Sequence, residues 1–257
     1  MAPKILVFDL ETKPNLGYFW RIWQENIGIK QILEASQIMS WCAKWLGEKE
    51  IFYEDSRKED DDKRLLKNLI KLLDEADFVI AHNGVRFDMK QLRGRALVQG
   101  YKPFSPVKVI DTFLIARREF GLVSNKLEYL ADILGCAPKD GHKEYPGFEL
   151  WRECLKGNEH AWDVMEEYNK QDVLTLEQVY LAIRPYDTQH ANLGVYEEAA
   201  ESPVCPKCGS IHLQRRGFAY TNVAKYQRYQ CGDCGGWSRS RYQEDARGHN
   251  LLANVAN

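Results

Sequence analysis

The stretch KILVFDLET, residues 4–12, sets Asp9 and Glu11 two positions apart inside a run of apolar residues that otherwise reads as a central strand. Successive side chains on a strand point to opposite faces, so Asp9 and Glu11 share one face while Phe8 and Leu10 take the other. Two carboxylates side by side at a sheet's end repel each other and resist burial, so they call for cations. Taken alone, the D-x-E pair is also compatible with a loop start or a salt-bridged pair.

The rest of the first two thirds supplies the layers such a strand needs. MSWCAKWLG and KEIFYEDS read as two further strands meeting at a Gly turn. DDDKRLLKNLIKLLDEAD places Leu65, Leu66, Leu69, Ile70, Leu72 and Leu73 at helical spacing behind an acidic first turn, where Glu59 to Asp62 read as a solvated helix start. FVIAHN returns to a strand. DMKQLRGRALVQG reads as a helix closed by Gly100, VKVIDTFLIARREFG as a strand end running into a helix, SNKLEYLADILG as a capped helix, and residues 160–183 as the last long helix. Strands early and helices later, with one return to the sheet, predict an α/β mixed sheet covered by helices.

Periodicity is lost from Arg184 to Val204, around Pro185, Gly194, Pro203 and the acidic pair Glu197 and Glu198. The expected organisation is a first domain over 1–190, a linker over 191–202, a small module over 203–242 and a tail over 243–257. No apolar run approaches the ~20 residues that cross a bilayer. The N-terminal MAPKILVFDLET meets its acidic pair almost at once, unlike a signal peptide, so a soluble, cytoplasmic protein with no membrane partner is expected.

Charge is distributed unevenly. Residues 205–242 hold seven Lys/Arg against Asp233 alone, a net of +6, and since the chain as a whole carries -2, the remainder carries -8. Such asymmetry points the C-terminal piece toward a polyanion.

Two later stretches change the weight of the D-x-E pair. AHNGVRFDMKQL delivers Asn83, Phe87 and Asp88 where a strand gives way to a helix, and EEYNKQDVLTLEQVY puts Tyr168 and Asp172 four apart on one helical face. With these residues, Lys4 to Arg184 resembles the DEDD 3′-to-5′ exonucleases of the ribonuclease H-like fold, whose motifs D-x-E, N-x-x-x-F-D and Y-x-x-x-D all occur here in order. A sister branch has a histidine five residues before the last aspartate. This chain has Glu167 there, and Tyr168 assigns it to the tyrosine branch, in a form similar to stand-alone phage or bacterial enzymes; a phage-encoded protein would lie in the bacterial host cytoplasm.

The resemblance implies a catalytic set of Asp9, Glu11, Asp88, Tyr168 and Asp172. Its four carboxylates would hold two Mg²⁺ or Mn²⁺ ions, as hard oxygen ligands suit. Asp9 would bridge both ions, Glu11 and Asp172 would complete one site and Asp88 would help hold the other, while the Tyr168 hydroxyl orients a water. Asn83, Lys126 and Thr12 are the implied substrate contacts. Phe87 is expected to pack rather than stack. The tryptophans at 20, 23, 41, 45 and 151 could stack on bases, but the core is the commoner place for such residues and no role is assigned to them.

CPKCG and CGDCG form two knuckles separated by 22 residues, the spacing of a zinc ribbon in which Cys205, Cys208, Cys231 and Cys234 hold one structural Zn²⁺. A segment this short builds little core, so the metal would supply its folding free energy. LQRRGFAYTN and KYQRYQ alternate basic and aromatic residues, as a nucleic-acid face would; a ribbon that docks a partner protein, such as a replication or repair factor, is the alternative. Cys42, Cys136 and Cys154 are expected to be buried thiols.

The resulting expectation is a metal-dependent 3′-to-5′ exonuclease that releases nucleoside 5′-monophosphates, with DNA favoured over RNA and single strands over duplex. A 3′-to-5′ exoribonuclease and a non-catalytic nucleic-acid adaptor are the alternatives. A disused site would have no physical reason to keep four mutually repelling acids, which counts against the adaptor.

Overall fold

The computed structural model describes residues 3–23, 26–136, 144–196 and 202–244. Most of the tail expected at 243–257, and Glu197 and Glu198 of the expected linker, lie outside the described residues. The chain divides into two compact units, Lys4–Tyr180 and Leu181–Asn257 with Met1–Pro3.

In the first unit the strands are β1 (Ile5–Thr12), β2 (Leu16–Gly17), β3 (Ile32–Glu34), β4 (Ile38–Trp45), β5 (Phe52–Asp55), β6 (Phe78–Ala81) and β7 (Lys108–Asp111). The helices are α1 (Lys63–Glu75), α2 (Asp88–Val98), α3 (Thr112–Glu119), α4 (Leu127–Leu134), α5 (Glu149–Leu155) and α6 (Glu159–Ile183). Five strands form one mixed sheet in the order β5-β4-β1-β6-β7. The acid-bearing strand β1 is central, antiparallel to β4 and parallel to β6, with Asp9 opposite Cys42 and Glu11 opposite Ser40. This is the expected α/β mixed sheet covered by helices.

Alternation along β1 decides which layer each face meets. Leu6, Phe8 and Leu10 join Leu65, Leu66, Leu69 and Leu73 of α1 and Met89 and Leu92 of α2 in one core. On a second core, Met39 of β4 packs with Leu150 and Cys154 of α5 and Ala161, Trp162 and Met165 of α6, against which Tyr168 and Trp151 rest. Helix α6 is fastened to the sheet by a buried Lys44–Glu177 ion pair, and Glu177 also accepts from the Gly47 N–H at 2.7 Å. Gly47 has φ +81°, a left-handed turn that glycine adopts at little cost.

Two sequence expectations fail here, each for a physical reason. Asp62 is not solvated: it is fully buried, and its carboxylate accepts from Arg95 Nε at 2.7 Å and Nη2 at 2.9 Å, from Gln99 Nε2 at 2.8 Å and from the Ile38 N–H at 3.1 Å. Helix α1 starts after it, without an acidic residue in its first turn. The core reading holds for Trp41, which is buried, but not for Trp20 and Trp23, which are 92% and 81% exposed. The chain between β1 and β4 forms its own two-stranded ladder of β2 and β3, outside the five-stranded sheet.

The second unit contains β8 (Leu213–Tyr220), β9 (Lys225–Cys231) and β10 (Trp237–Arg239), ordered β10-β9-β8 and antiparallel throughout. The described start of the segment expected as a linker is packed: Ala191 and Leu193 are buried, Leu193–Tyr196 forms a 3-10 turn, and the Leu193 N–H donates to the Pro206 carbonyl at 2.7 Å. Of the remaining thiols, Cys42 and Cys154 are buried and Cys136 is half-buried. Among the described residues no helix is long and apolar enough to cross a membrane.

Candidate active site

Strand β1 carries Asp9 and Glu11 on one face, and α6 crosses that face carrying Tyr168, Asn169 and Asp172. One carboxylate oxygen each from Asp9, Glu11 and Asp172 lies within 4.8 Å of the others. Asp172 is buried and the two strand acids are half-buried. The cluster follows from two periods, two residues on the strand and four on the helix, which place side chains from both ends of the unit together.

Tyr168 lies beside this cluster, with its ring edge-on to Trp151 at a centroid distance of 6.0 Å. Burial pushes its phenol well above the ordinary range, and the charges of Asp172, Glu11 and Asp9 push it further, with the hydroxyl hydrogen-bonded to Asp172. The phenol therefore keeps its proton at neutral pH and serves as a donor, not a base. Glu167, at the position of the sister branch's histidine, is exposed.

Asn169 is a site residue that the sequence did not announce. Fully buried, it donates from Nδ2 to Asp9 Oδ2 at 2.9 Å, and its Oδ1 accepts from Ser40 Oγ at 3.2 Å. The amide is thereby held from the far side by β4, and it fixes one oxygen of the central carboxylate.

Asp88 does not join the three clustered acids. It opens α2, is buried, and accepts from its own N–H and from the backbone N–H of Leu10, the residue between Asp9 and Glu11. Burial raises its carboxyl to about 7, with the charge of Asp111 adding to the shift against those two hydrogen bonds.

Asp111 is the second unannounced residue. It caps α3, accepting from the Phe113 N–H at 3.0 Å and the Leu114 N–H at 3.2 Å. It also accepts from the Asn83 N–H at 2.9 Å and the Val85 N–H at 3.1 Å, and so clamps the turn that delivers Asp88. Asn83 in that turn has φ +63°, and a Cβ on Gly84 would lie 2.4 Å from the Ala81 Cβ, so the turn requires glycine there. The available signal was an acid at the end of the VKVID strand, directly before a helix, where N-caps occur.

The expected substrate contacts stand on different elements. Thr12 lines a cavity of about 400 Å³ with Pro14, Phe148 and Trp151. Lys126 is exposed at the N-terminal boundary of α4, and Phe87 is 40% exposed, more open than a packing role required.

Both donor sets fit metal ions. Three carboxylates converging with no thiolate or imidazole among them form a hard-oxygen set, suited to Mg²⁺ or Mn²⁺. In the second unit, Cys205, Cys208, Cys231 and Cys234 place all their sulfurs within 4.8 Å of one another. The Cys205–Cys234 and Cys208–Cys231 sulfur separations are 3.7 and 3.6 Å. Tetrahedral coordination at a Zn–S distance of ~2.3 Å requires sulfur separations of about 3.8 Å, whereas a disulfide needs about 2.05 Å. Burial opposes ionisation of Cys231, but backbone N–H groups of Cys234 and Asp233 hold its thiol down at about 7, poised to become a ligand.

Residues 33–184 match the family model described as the RNase H superfamily, more than half of the chain. Among solved structures the chain is similar to the family B DNA polymerase from the hyperthermophilic archaeon Pyrobaculum calidifontis, with a TM-score of 0.54 and 14% identity. That similarity covers 88% of this chain and 32% of the polymerase, so the chain spans about a third of the polymerase's length, and at this identity the likeness is one of fold. No curated protein sequence matches the chain.

Proposed function

The chain belongs to the RNase H superfamily, and from that premise we propose that it is a metal-dependent 3′-to-5′ exonuclease of the tyrosine branch, releasing nucleoside 5′-monophosphates from unpaired DNA ends. The carrying observation is the convergence of Asp9, Glu11 and Asp172 within 4.8 Å, beside a phenol that stays protonated.

Asp9, Glu11 and Asp172, with Asp88 from the neighbouring turn, would hold two magnesium or manganese ions. Bound there, such ions supply charge relief at the phosphoryl oxygens, activation of water and stabilisation of the leaving oxygen. Asn169 holds Asp9 in one rotamer through the 2.9 Å bond to Oδ2, so the central ligand is fixed before substrate arrives. Tyr168 offers its O–H to orient the attacking water, and its raised pKa excludes it as the proton acceptor. Asp111 acts through the turn it clamps, setting where Asp88 stands. The terminal nucleotide would enter beside Thr12, with Asn83 and Lys126 as further strand contacts. Residues 1–190 form the catalytic part in this reading, and the four-cysteine module, folded around one zinc, helps hold the strand.

Incubation with Mg²⁺ of DNA and RNA strands of one sequence, labelled at the 5′ end, tests this directly. Progressive shortening from the 3′ end, abolished in Asp9→Ala and Asp172→Ala proteins that still fold, is expected, with DNA the faster substrate. Cleavage that starts internally, or an Asp9→Ala protein with near-full activity at saturating Mg²⁺, would refute the assignment.

A further inference from the structure

We propose that one face of the β8–β10 sheet is a stacking platform for an unpaired polynucleotide, built from Tyr226, Arg239, Arg228 and Trp237. Residues paired across antiparallel strands share a face, as do alternate residues along one strand. Arg239 pairs with Arg228, and Trp237 pairs with Gln230, which places Trp237 and Arg239 on the face that carries Tyr226 and Arg228. The side chains interleave. The Arg239 guanidinium lies 3.8 Å from the Tyr226 ring centroid and that of Arg228 lies 4.8 Å from the Trp237 centroid. The row thus sets two adjacent planar cations between two aromatic rings, and each kind of plane is one on which a nucleobase stacks.

Two features point to an anionic occupant. Like charges directly opposite on paired strands destabilise a sheet, yet Arg228 and Arg239 are opposite each other and β8, β9 and β10 contain no acidic residue. Asp233, the sole acid between Cys205 and Tyr242, is bonded to His212 Nδ1 at 3.0 Å. Phosphates would relieve the repulsion that the protein leaves in place, with exposed Arg216 of β8, bonded to Gln214 opposite Gln230, available beside them on the same face. Trp237, meanwhile, remains reachable at 46% exposed, while Tyr226 is half-buried. Trp237 and Arg239 also line a cavity of about 550 Å³ with Tyr186, His190 and Lys207, so the row opens into a space of the size that takes a small aromatic ligand. Phosphates alone would attract duplex and single strand alike, but stacking planes select unpaired bases, because a duplex keeps its base faces covered.

The inference rests on reading the chain as a nucleic-acid enzyme, but it makes a claim about binding, not hydrolysis, so the two fail separately. Zinc-loaded full chain carrying Asp172→Asn, to prevent hydrolysis, is titrated with fluorescent dT15, U15 and a 15-base-pair duplex across a salt series. The single strands are expected to bind at least tenfold more tightly than the duplex, and comparison of dT15 with U15 states which sugar is preferred. Trp237→Leu should weaken single-strand binding about tenfold, as loss of one stacked base does, without changing the slope of log K against log salt. The Arg228→Gln, Arg239→Gln double variant should weaken it and flatten that slope by about 1.4, two phosphate contacts at ~0.7 each. Zinc content is measured for every variant, and if Trp237→Leu loses its metal the arginine pair carries the test. Unchanged affinity in zinc-retaining variants, equal binding of duplex and single strand, or an acidic polypeptide that binds as tightly and depends on the same residues would overturn the proposal. Absent hydrolysis by the unsubstituted enzyme would refute the exonuclease reading and leave this one standing.

Discussion

Replacing Asn169 with leucine isolates what the buried amide does for the site. The side chain keeps nearly the same volume, so the packing of α6 on β4 is retained while two hydrogen bonds vanish: the one to Asp9 Oδ2 at 2.9 Å and the one from Ser40 Oγ at 3.2 Å. A hydrogen bond to a charged group contributes about 1.5–3 kcal/mol. Independently, loss of a residue that orients a metal ligand costs about 10–100-fold in metal affinity or activity, which at ~1.4 kcal/mol per tenfold is about 1.4–2.8 kcal/mol. The two routes agree in size. Hydrolysis of a 5′-labelled strand, followed over a Mg²⁺ titration, should show the half-saturating Mg²⁺ rising about 10–100-fold while the rate at saturation falls much less, since added metal restores occupancy of a site whose ligands are all present.

A thermal melt of the same variant separates this from simple destabilisation. If half-saturating Mg²⁺ were unchanged while the melting temperature dropped, Asn169 would be a core polar residue and nothing more. If the folded variant were inactive at every Mg²⁺ concentration, Asn169 would act on substrate or water, and its assignment as a positioning residue for Asp9 would be wrong.

Tyr168→Phe should lower the rate by roughly 10²-fold, the loss of one positioned hydroxyl, while Glu167→Ala changes little because Glu167 is exposed; the reverse pattern in a gel assay would reassign the branch. Asp62→Ala should cost about 3–5 kcal/mol in urea unfolding, because it leaves the Arg95 guanidinium buried without its carboxylate, and Asp62→Leu combined with Arg95→Met should recover most of that loss. Burial opposes it, but the bonds from Arg95, Gln99 and Ile38 hold the Asp62 carboxyl below its ordinary value, so its contribution is present above the unfolded pKa of ~3.9 and lost as pH falls through the folded one. Because Asp88 titrates at about 7 and must shed its proton to hold a cation, half-saturating Mg²⁺ should be about tenfold higher at pH 6 than at pH 8 in activity titrations, and a flat profile would remove Asp88 from the metal set. Cys205→Ser should release zinc, measurable by a chromogenic chelator, and weaken strand binding with a shallower salt dependence while sparing the rate at saturating substrate; retained zinc would refute four-thiolate coordination.

The parts of the site that the sequence revealed are those whose geometry is local. Asp9 and Glu11 share a face because a strand alternates, Tyr168 and Asp172 because a helix returns after four residues, and the two knuckles because two residues between cysteines fit one turn around a metal. Each relation is fixed by neighbours in the chain. The fold class followed from similar local signals, apolar strands and amphipathic helices in an order that leaves few ways to layer them, whereas the order of strands within the sheet did not. What escaped were pairings across the chain: Asp9 with Asn169 at a separation of 160 residues, Ser40 with Asn169 at 129, Asp111 with Asn83 at 28 and Asp62 with Arg95 at 33. Periodicity says which face a residue occupies and nothing about who stands opposite.

Separation is only half of the reason, because Asp9 and Asp172 are also far apart and were still brought together, Asp172 through the motifs that the chain shares with the family and Asp9 through contrast with its strand. An acid in an apolar strand breaks the local pattern, and the break itself is informative: burial without a partner is so costly that a cation must be supplied from somewhere. Asp62 is buried as completely as any residue of the core, but it follows Glu59, Asp60 and Asp61, where one more acid breaks nothing. Asp111 sits at a strand end before a helix, where an acid is ordinary, and Asn169 is one polar residue among several on an amphipathic helix. Trp20 and Trp23 show the same effect with the sign reversed, since an apolar residue in an apolar-rich stretch gives no warning that it faces solvent. Contrast with the surrounding residues, more than chemical type, decides whether a buried polar group can be read. Asp9 and Glu11 stand out because the strand that presents them has to be apolar everywhere else.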